Sequence, residues 1–553
     1  MNLEDHFRDL DRARKHNDRK EEANALLNLG RKLQESGELD RAGRMFQDAL
    51  QLSEEALVDS ETVAHILLSL GEVQRDAGRT AEARCSMQKA LRKYEDLGDE
   101  AVVGWIHGDL GVLYKRENNY REAMRHLREA LPRNRRSGEA AEVAWTLAEM
   151  GEILSFRGAL GAARRRYEEA LTLARVSGDL REEAWILGAI GDVLQQEGGS
   201  SDAESYYSEG VALYVRCGDA EGEASLRLRL ADRLREISQD NNAHTEYMKA
   251  LGRIREAGGD PFIESGAYAG LGMLAAAQGN FQDALVHFQS QLDLVQPMDD
   301  PLAEHSSHLQ IGLCCRELDR APEACSSFRK AMKCARRIRD EGAEARSLGY
   351  LADLDRDQGK LRRSHRRYQE LLKFGRKLED SEIIQWALGG RGEVQEALGH
   401  FPESYHDFRT LLEEARQEGA RPVEVYACTA CGRILMSMRR YPKALQYLNG
   451  ALQLARKSGN RSGEGFALAS LGLLRATVNA GQLHDPAQAV ALVEEAVRVT
   501  ERKDAGCLET LADLYMRAGK SGQAQRLVRE ALKLPDISAG IRIRLNQHLS
   551  RKS

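Results

Sequence analysis

The stretch EEAWILGAIGDVL runs from Glu182 to Leu194. Forty residues earlier the chain reads EVAWTLAEMGEIL, and forty before that VVGWIHGDLGVLY. The same slot holds Trp105, Trp145 and Trp185, and the last tryptophan, Trp386 in IIQWALGGRGEVQ, holds it too. Each tryptophan stands six residues before a glycine, and those glycines belong to a column of their own. The column starts Gly30, Gly71, Gly111, Gly151, Gly191, passes through Ala231 and Ala352, and ends at Ala512. It counts thirteen small residues, every interval being 40 or 41 residues. A fixed period of this length marks a repeat array.

A second small column follows twelve residues behind the first, as Ala42, Ala83, Ala123 and Ala163. Four residues on comes a large apolar side chain, such as Phe46, Tyr167, Tyr207 or Phe288. In the twelfth unit NAGQLHDPAQ lengthens the turn and shifts this register by five. Each unit reads as two helices. Leu187, Ile190 and Leu194 share one face at about 100° per residue. A glycine turn such as Gly158 or Gly279 separates the helices, and Pro322, Pro402 and Pro442 fall in the first turn of a second helix, where a missing N–H costs nothing. Pairs such as Gly98-Asp99 and Gly178-Asp179 close one unit and open the next. The glycine suits a left-handed C′ position and the aspartate an N-cap.

The run DLGVLY (Asp109–Tyr114), then Ala123, Leu127 and Ala130, resembles the tetratricopeptide repeat. The usual unit of that family has about 34 residues. The longer unit here is similar to the repeats of the LGN/Pins spindle scaffolds and of many bacterial signalling proteins. Nothing in the chain resembles the G-protein-binding motifs of LGN, so that function is not carried over. The resemblance implies an all-α, right-handed superhelical solenoid of about thirteen repeats. Residues 1–18 are expected to form an N-terminal capping helix, 19–536 a continuous array, and 537–553 a C-terminal cap with Ile537, Ile541, Leu545 and Leu549 at four-residue spacing.

Bulk composition carries no signature of a nucleic-acid-binding or membrane-spanning protein. The chain has 553 residues, 42% apolar and 30% charged, with a net charge of −6. No basic surplus marks it for nucleic acid, and no apolar run reaches the eighteen or so residues of a membrane span. The start, MNLEDHFRDLDRARKHNDRK, lacks a secretory signal. Nine scattered cysteines fit reduced thiols and a cytoplasmic setting. No metal-site spacing, phosphate loop or nucleophile elbow appears. RAGKSGQ would need a glycine at Leu514, and the pair Cys428 and Cys431 falls on core positions. We therefore expect no enzyme activity and no cofactor.

On a helical wheel the tryptophan slot lies opposite the unit's own core face. In tetratricopeptide arrays that face lines a concave groove, so Trp105, Trp145 and Trp185 would form a stripe, with a second zone at Trp386, Tyr426 and Phe466. The residue after the small column shares this face. It is acidic in seven units: Glu72, Glu152, Asp192, Asp232, Asp353, Glu393 and Asp513. Aromatic anchors beside carboxylates suit a peptide or helix with basic and apolar side chains. The plainer alternative is that the rings wedge neighbouring helices and that Glu72–Arg75, Asp232–Arg235 and Asp353–Arg356 neutralise themselves.

The favoured function is thus a cytoplasmic protein-interaction scaffold or adaptor. One rival is a regulatory or sensor subunit controlling an associated enzyme. A second is a nucleic-acid or acidic-surface binder that uses a basic convex zone: Arg329, Lys330, Arg336, Arg337, Arg362, Arg363, Arg366 and Arg367. The acidic groove disfavours nucleic acid. Self-association is also open, because a long groove can accept a terminal helix.

Overall fold

The structure, a computed structural model, describes residues 3–16, 18–55, 58–198, 200–478, 484–534 and 539–550. Among these residues there are 28 α-helices, one 3-10 turn at Gln296–Met298, and no strand. The chain divides into two compact units, Met1–Ile263 and Glu264–Ser553, each a stack of antiparallel helix pairs.

The spacing of small and large residues has a direct structural cause. In the pair Leu180–Gln196 and Ser200–Cys217, Tyr207 lies on Gly191, where an added Cβ would meet the ring at 2.5 Å. In the second unit Phe288 lies on Gly272 in the same way, at 2.6 Å. A methyl group at either glycine would force the two helices apart, so the column stays small wherever the ring sixteen residues later is large. Tyr207, Phe288 and Phe408 are all buried.

Helix ends follow the expected punctuation. Asp99 accepts a hydrogen bond from the Val102 N–H at 3.2 Å, and Asp179 from those of Arg181 and Glu182 at 3.0 and 3.1 Å. Such caps satisfy donors that have no partner inside the helix. Gly98 and Gly178 end the preceding helices at φ 74° and 76°, a left-handed conformation that costs other residues more.

In the first unit, helix Leu3–His16 buries Leu10 and Ala13, and Leu10 joins the core that holds Leu26 and Phe46. At the far end of the second unit, helix Ala539–Ser550 buries Leu545, and Ile541 and Leu549 pack on the core around Leu511 and Leu527. Ile537 lies outside the described residues, as do residues 479–483 of the lengthened turn. Asp485 caps the helix that follows this turn, Pro486–Val499.

Candidate functional site

The tryptophan slot lies on the first helix of its repeat, and the structure shows what several of its rings pack on. Trp145, Trp185 and Trp386 are half-buried, while Trp105, Tyr426 and Phe466 are 37%, 39% and 47% exposed. Trp145 leans back on Gly108 of the preceding unit, so close that a Cβ there would meet its Cζ3 at 2.7 Å. Trp386 leans on Gly349, where the corresponding approach to Cη2 is 2.5 Å. Its indole N–H points to Asp353 at 3.4 Å, and Tyr350 meets it edge-on at 5.0 Å between centroids. Trp185 meets the buried Tyr167 edge-on at 6.3 Å. Trp145 and Trp386 therefore wedge successive first helices, while Trp185 packs on the second helix Leu160–Ser177 of the preceding repeat.

The acidic positions are bonded both within their own helix pair and to the neighbouring one. Lys115 donates to Glu149 and Glu152, each at 2.6 Å. Asp192 accepts from Arg229 and from the Tyr207 hydroxyl, both at 2.8 Å. Asp232 accepts from Tyr247 at 2.5 Å and lies 3.7 Å from Arg235. Asp353 accepts from the Tyr368 hydroxyl and lies 3.5 Å from Arg356. Glu393 accepts from Arg356 at 2.8 Å and from Tyr426 at 2.6 Å. Glu72 departs from this pattern, because Arg75 reaches Asp109 instead, at 2.8 Å. Burial, with Asp109 next, pushes the Glu72 carboxyl up to about 7. Burial also raises Asp192 and Asp232 above the usual carboxylate range. Most carboxylates of this row thus already hold a basic or hydroxyl partner within the chain.

Two pairs of cavities open on this face, one pair in each compact unit. In the first unit, cavities of about 430 and 680 Å³ lie on either side of Trp185 and Arg229, the smaller also lined by Glu152, Tyr167 and Asp192. In the second, cavities of about 460 and 580 Å³ share Phe466 and Arg433. The smaller of these is lined by Val425, Tyr426 and Thr429, the larger by Leu473 and Glu509 together with Arg544 of the last helix. Arg433 is held by Glu396 at 3.0 Å. Both cavities thus offer apolar walls with a few fixed polar groups, the usual make-up of a recognition pocket.

The proposed basic zone is only half available. Arg336 is paired with Glu344 at 2.6 Å, and Arg337 with Asp299 at 2.6 Å. Arg363 and Arg367 both bind the buried carboxylate of Asp355, Arg367 at 2.6 Å. A charge buried this deeply needs partners, so Arg363 and Arg367 serve the fold, whereas the pairs of Arg336 and Arg337 lie near the surface. Arg329, Lys330, Arg362 and Arg366 remain exposed. Cys428 and Cys431 are buried, and burial pushes their thiols up to about 11 and about 12. No group of three metal-ligating side chains occurs among the described residues.

Comparison with known proteins fits this helix-pair geometry. The tetratricopeptide-repeat profile matches residues 21–96, 102–175, 142–215 and 304–377, and two further profiles of the same description match 427–462 and 265–290. The chain belongs to the tetratricopeptide-repeat family. Repeats of this kind are typically non-catalytic interaction scaffolds. No curated protein matches the sequence. Among solved structures, this tetratricopeptide protein is similar to BtubC (BKLC) from P. vanneervenii at 20% identity and TM-score 0.35, over 39% of this chain and 91% of that one. It is similar to the apo form of RapI at 13% and 0.42, over 51% and 99%. It is also similar to a signal-transduction ATPase with a tetratricopeptide repeat sensor from Pyrococcus horikoshii, at 14% and 0.49. That last likeness spans 70% of this chain and 55% of the ATPase. Among the described residues no helix is long and apolar enough to cross a membrane.

What sequence reading missed is the glycine beneath Trp145, Trp386 and Tyr426. Gly108, Gly349 and Gly389 stand three residues before the small column, and each takes the ring of the following unit. A second missed signal is the 37-residue step that links Lys115 to Glu152, Arg356 to Glu393 and Arg433 to Glu396.

Proposed function

We propose that this protein is an interaction scaffold that holds a segment of a protein partner on its first-helix face. The observation that carries this reading is Phe466. It is a large apolar ring left 47% exposed between two cavities. A side chain inserted beside it would be desolvated by Tyr426, Val425 and Leu473, the setting in which aromatic residues dominate binding energy. Because the neighbouring charges already have partners, the segment is recognised mainly by an apolar anchor. Asn460, Thr429 and Thr510 line the cavities and can bond its backbone.

The test is a peptide library selected against the intact protein, followed by affinity measurement on the Phe466→Ala and Tyr426→Ala variants. Selected peptides should share an apolar anchor, and either variant should weaken them about tenfold or more at unchanged helicity. Peptides that bind both variants as tightly as the parent protein would end this reading.

A further inference from the structure

The second-helix face carries a different signal. Across most of the chain, arginines have a carboxylate close by, as Arg175 has Glu183 and Arg416 has Glu424. Two neighbouring second helices, Ala321–Arg337 and Leu361–Leu378, depart from this. Arg329, Lys330 and Lys333 on the first, and Arg362, Arg366 and Lys373 on the second, are exposed or nearly so and have no ion pair among the described residues. Glu370 is the one exposed carboxylate in the middle of this surface. The two groups of cations flank the seam between these second helices of successive repeats. Arg367 of the second helix has its pKa lowered, by burial first; Asp355 opposes this, while the charges of Arg363 and of Arg329 on the other helix add to it. A surface that crowds like charges without counter-ions loses stability by self-repulsion, and an incoming anion relieves that cost.

We propose that this face is a docking surface for an acidic, Asp/Glu-rich segment of a protein partner. Its limits favour such a segment over nucleic acid. The helices on either side, Phe281–Val295 and Phe401–Glu418, bring Asp283 and Asp293 on one flank and Glu403 and Glu414 on the other. Helix Phe281–Val295 has no lysine or arginine at all. The basic strip is therefore two helices wide, about 20 Å, and about 25 Å long for helices of 17 and 18 residues. A duplex continuing past it would bring phosphates against carboxylates. Single strands are held by stacking on exposed aromatic rings. Here Phe328 and Tyr368 are fully buried and Phe374 packs against the core. Arginine forks bind carboxylates through two parallel bonds, so an acidic helix or extended segment laid along the seam matches both the size and the chemistry.

The experiment measures anisotropy of a fluorescein-labelled polyglutamate peptide, about as long as the helices, on the full chain. A labelled RNA duplex and anionic lipid vesicles are run in parallel. Polyglutamate should bind, and more weakly as salt rises. Reversing Arg329→Glu, Lys330→Glu, Arg362→Glu and Arg366→Glu together should weaken it about tenfold or more. These four side chains hold no ion pair among the described residues, and circular dichroism verifies the fold. If helicity falls, the four glutamine substitutions serve instead, with a loss of about threefold or more expected. The Phe466→Ala variant should bind polyglutamate normally, which separates this face from the groove. Absence of polyglutamate binding, equal binding by the reversed variant, or tighter retention of RNA or vesicles than of polyglutamate would each overturn the proposal.

Discussion

Trp386 and Phe466 occupy the same slot of the repeat and do different work. Under Trp386 lies Gly349, and the indole descends until a Cβ there would be 2.5 Å away. The corresponding residue before Phe466 is Thr429, which leaves the ring 47% exposed between two cavities. Tyr426 is intermediate. It faces Gly389, yet its ring stays 3.5 Å from the position of a Cβ, and it is 39% exposed. The lesson is that a conserved period does not fix the role of a slot. The size of the seat in the preceding unit and the reach of the ring together decide whether an aromatic side chain joins two repeats or faces a partner.

The largest effect expected from this difference is on stability. Trp386→Ala removes a half-buried ring, empties the seat on Gly349 and strands the contact with Tyr350. A loss of about 3 kcal/mol is expected, near the lower end for large aromatic truncations. Phe466→Ala should cost about 0.5 kcal/mol or less, as exposed positions do. Hydrogen exchange is the suitable readout, because in a repeat array the damage stays close to the altered interface. Faster exchange in Glu341–Asp357 and Ser381–Ala397 for the first variant, and little change for the second, would uphold the comparison. Equal losses from both would break it.

The seat can also be altered from below. Gly349→Ala places a methyl group against the indole, with an overpacking cost of about 2 kcal/mol. The same change at Gly389 meets only ordinary contact at 3.5 Å. There the gain in helix propensity over glycine, about 1 kcal/mol, should leave the variant as stable as the parent protein or more so. A pair of thermal melts distinguishes these signs. Two equal shifts would mean that the seat is not what separates the slots.

The repeat and the helix pairing were legible in the sequence because one physical requirement produced both columns. A glycine such as Gly191 and a ring such as Tyr207 must occur together, sixteen residues apart, in every unit that packs this way. Caps such as Asp99 and Asp179 were legible because they act locally. The groove was harder. Trp145 and Gly108 are both visible in the sequence, but linking them requires knowing that the ring leans toward the unit before it. The charge pattern misled for the same reason. Glu152 and Glu393 look like free carboxylates within their own helix, and only the neighbouring unit supplies Lys115 and Arg356. The basic helices divided likewise, since nothing local shows that Asp355 claims Arg363 and Arg367 while Arg362 and Arg366 stay free.

The acidic slot gives the smallest effect and a sharper test, because it changes sign between units. Glu393 accepts bonds from Arg356 and Tyr426, so Glu393→Gln should destabilise the protein at neutral pH by about 1 kcal/mol. Glu72 is set among Asp109, Asp76, Arg75 and Arg31, and its carboxyl rises from 4.5 to about 7. The folded protein then holds a proton that the unfolded chain has already released between those two values. Stability from this site accordingly falls as pH rises through that window, and the full cost of the buried charge is present above about 7. Glu72→Gln removes the cost. The variant should match the parent protein near pH 4 and exceed it near pH 8 by about 1 kcal/mol, allowing for partial solvent screening. Denaturant melts at the two pH values measure the difference. A destabilised Glu72→Gln at pH 8 would mean that Arg75 or Arg31 neutralises this carboxylate after all, as Lys115 does for Glu152.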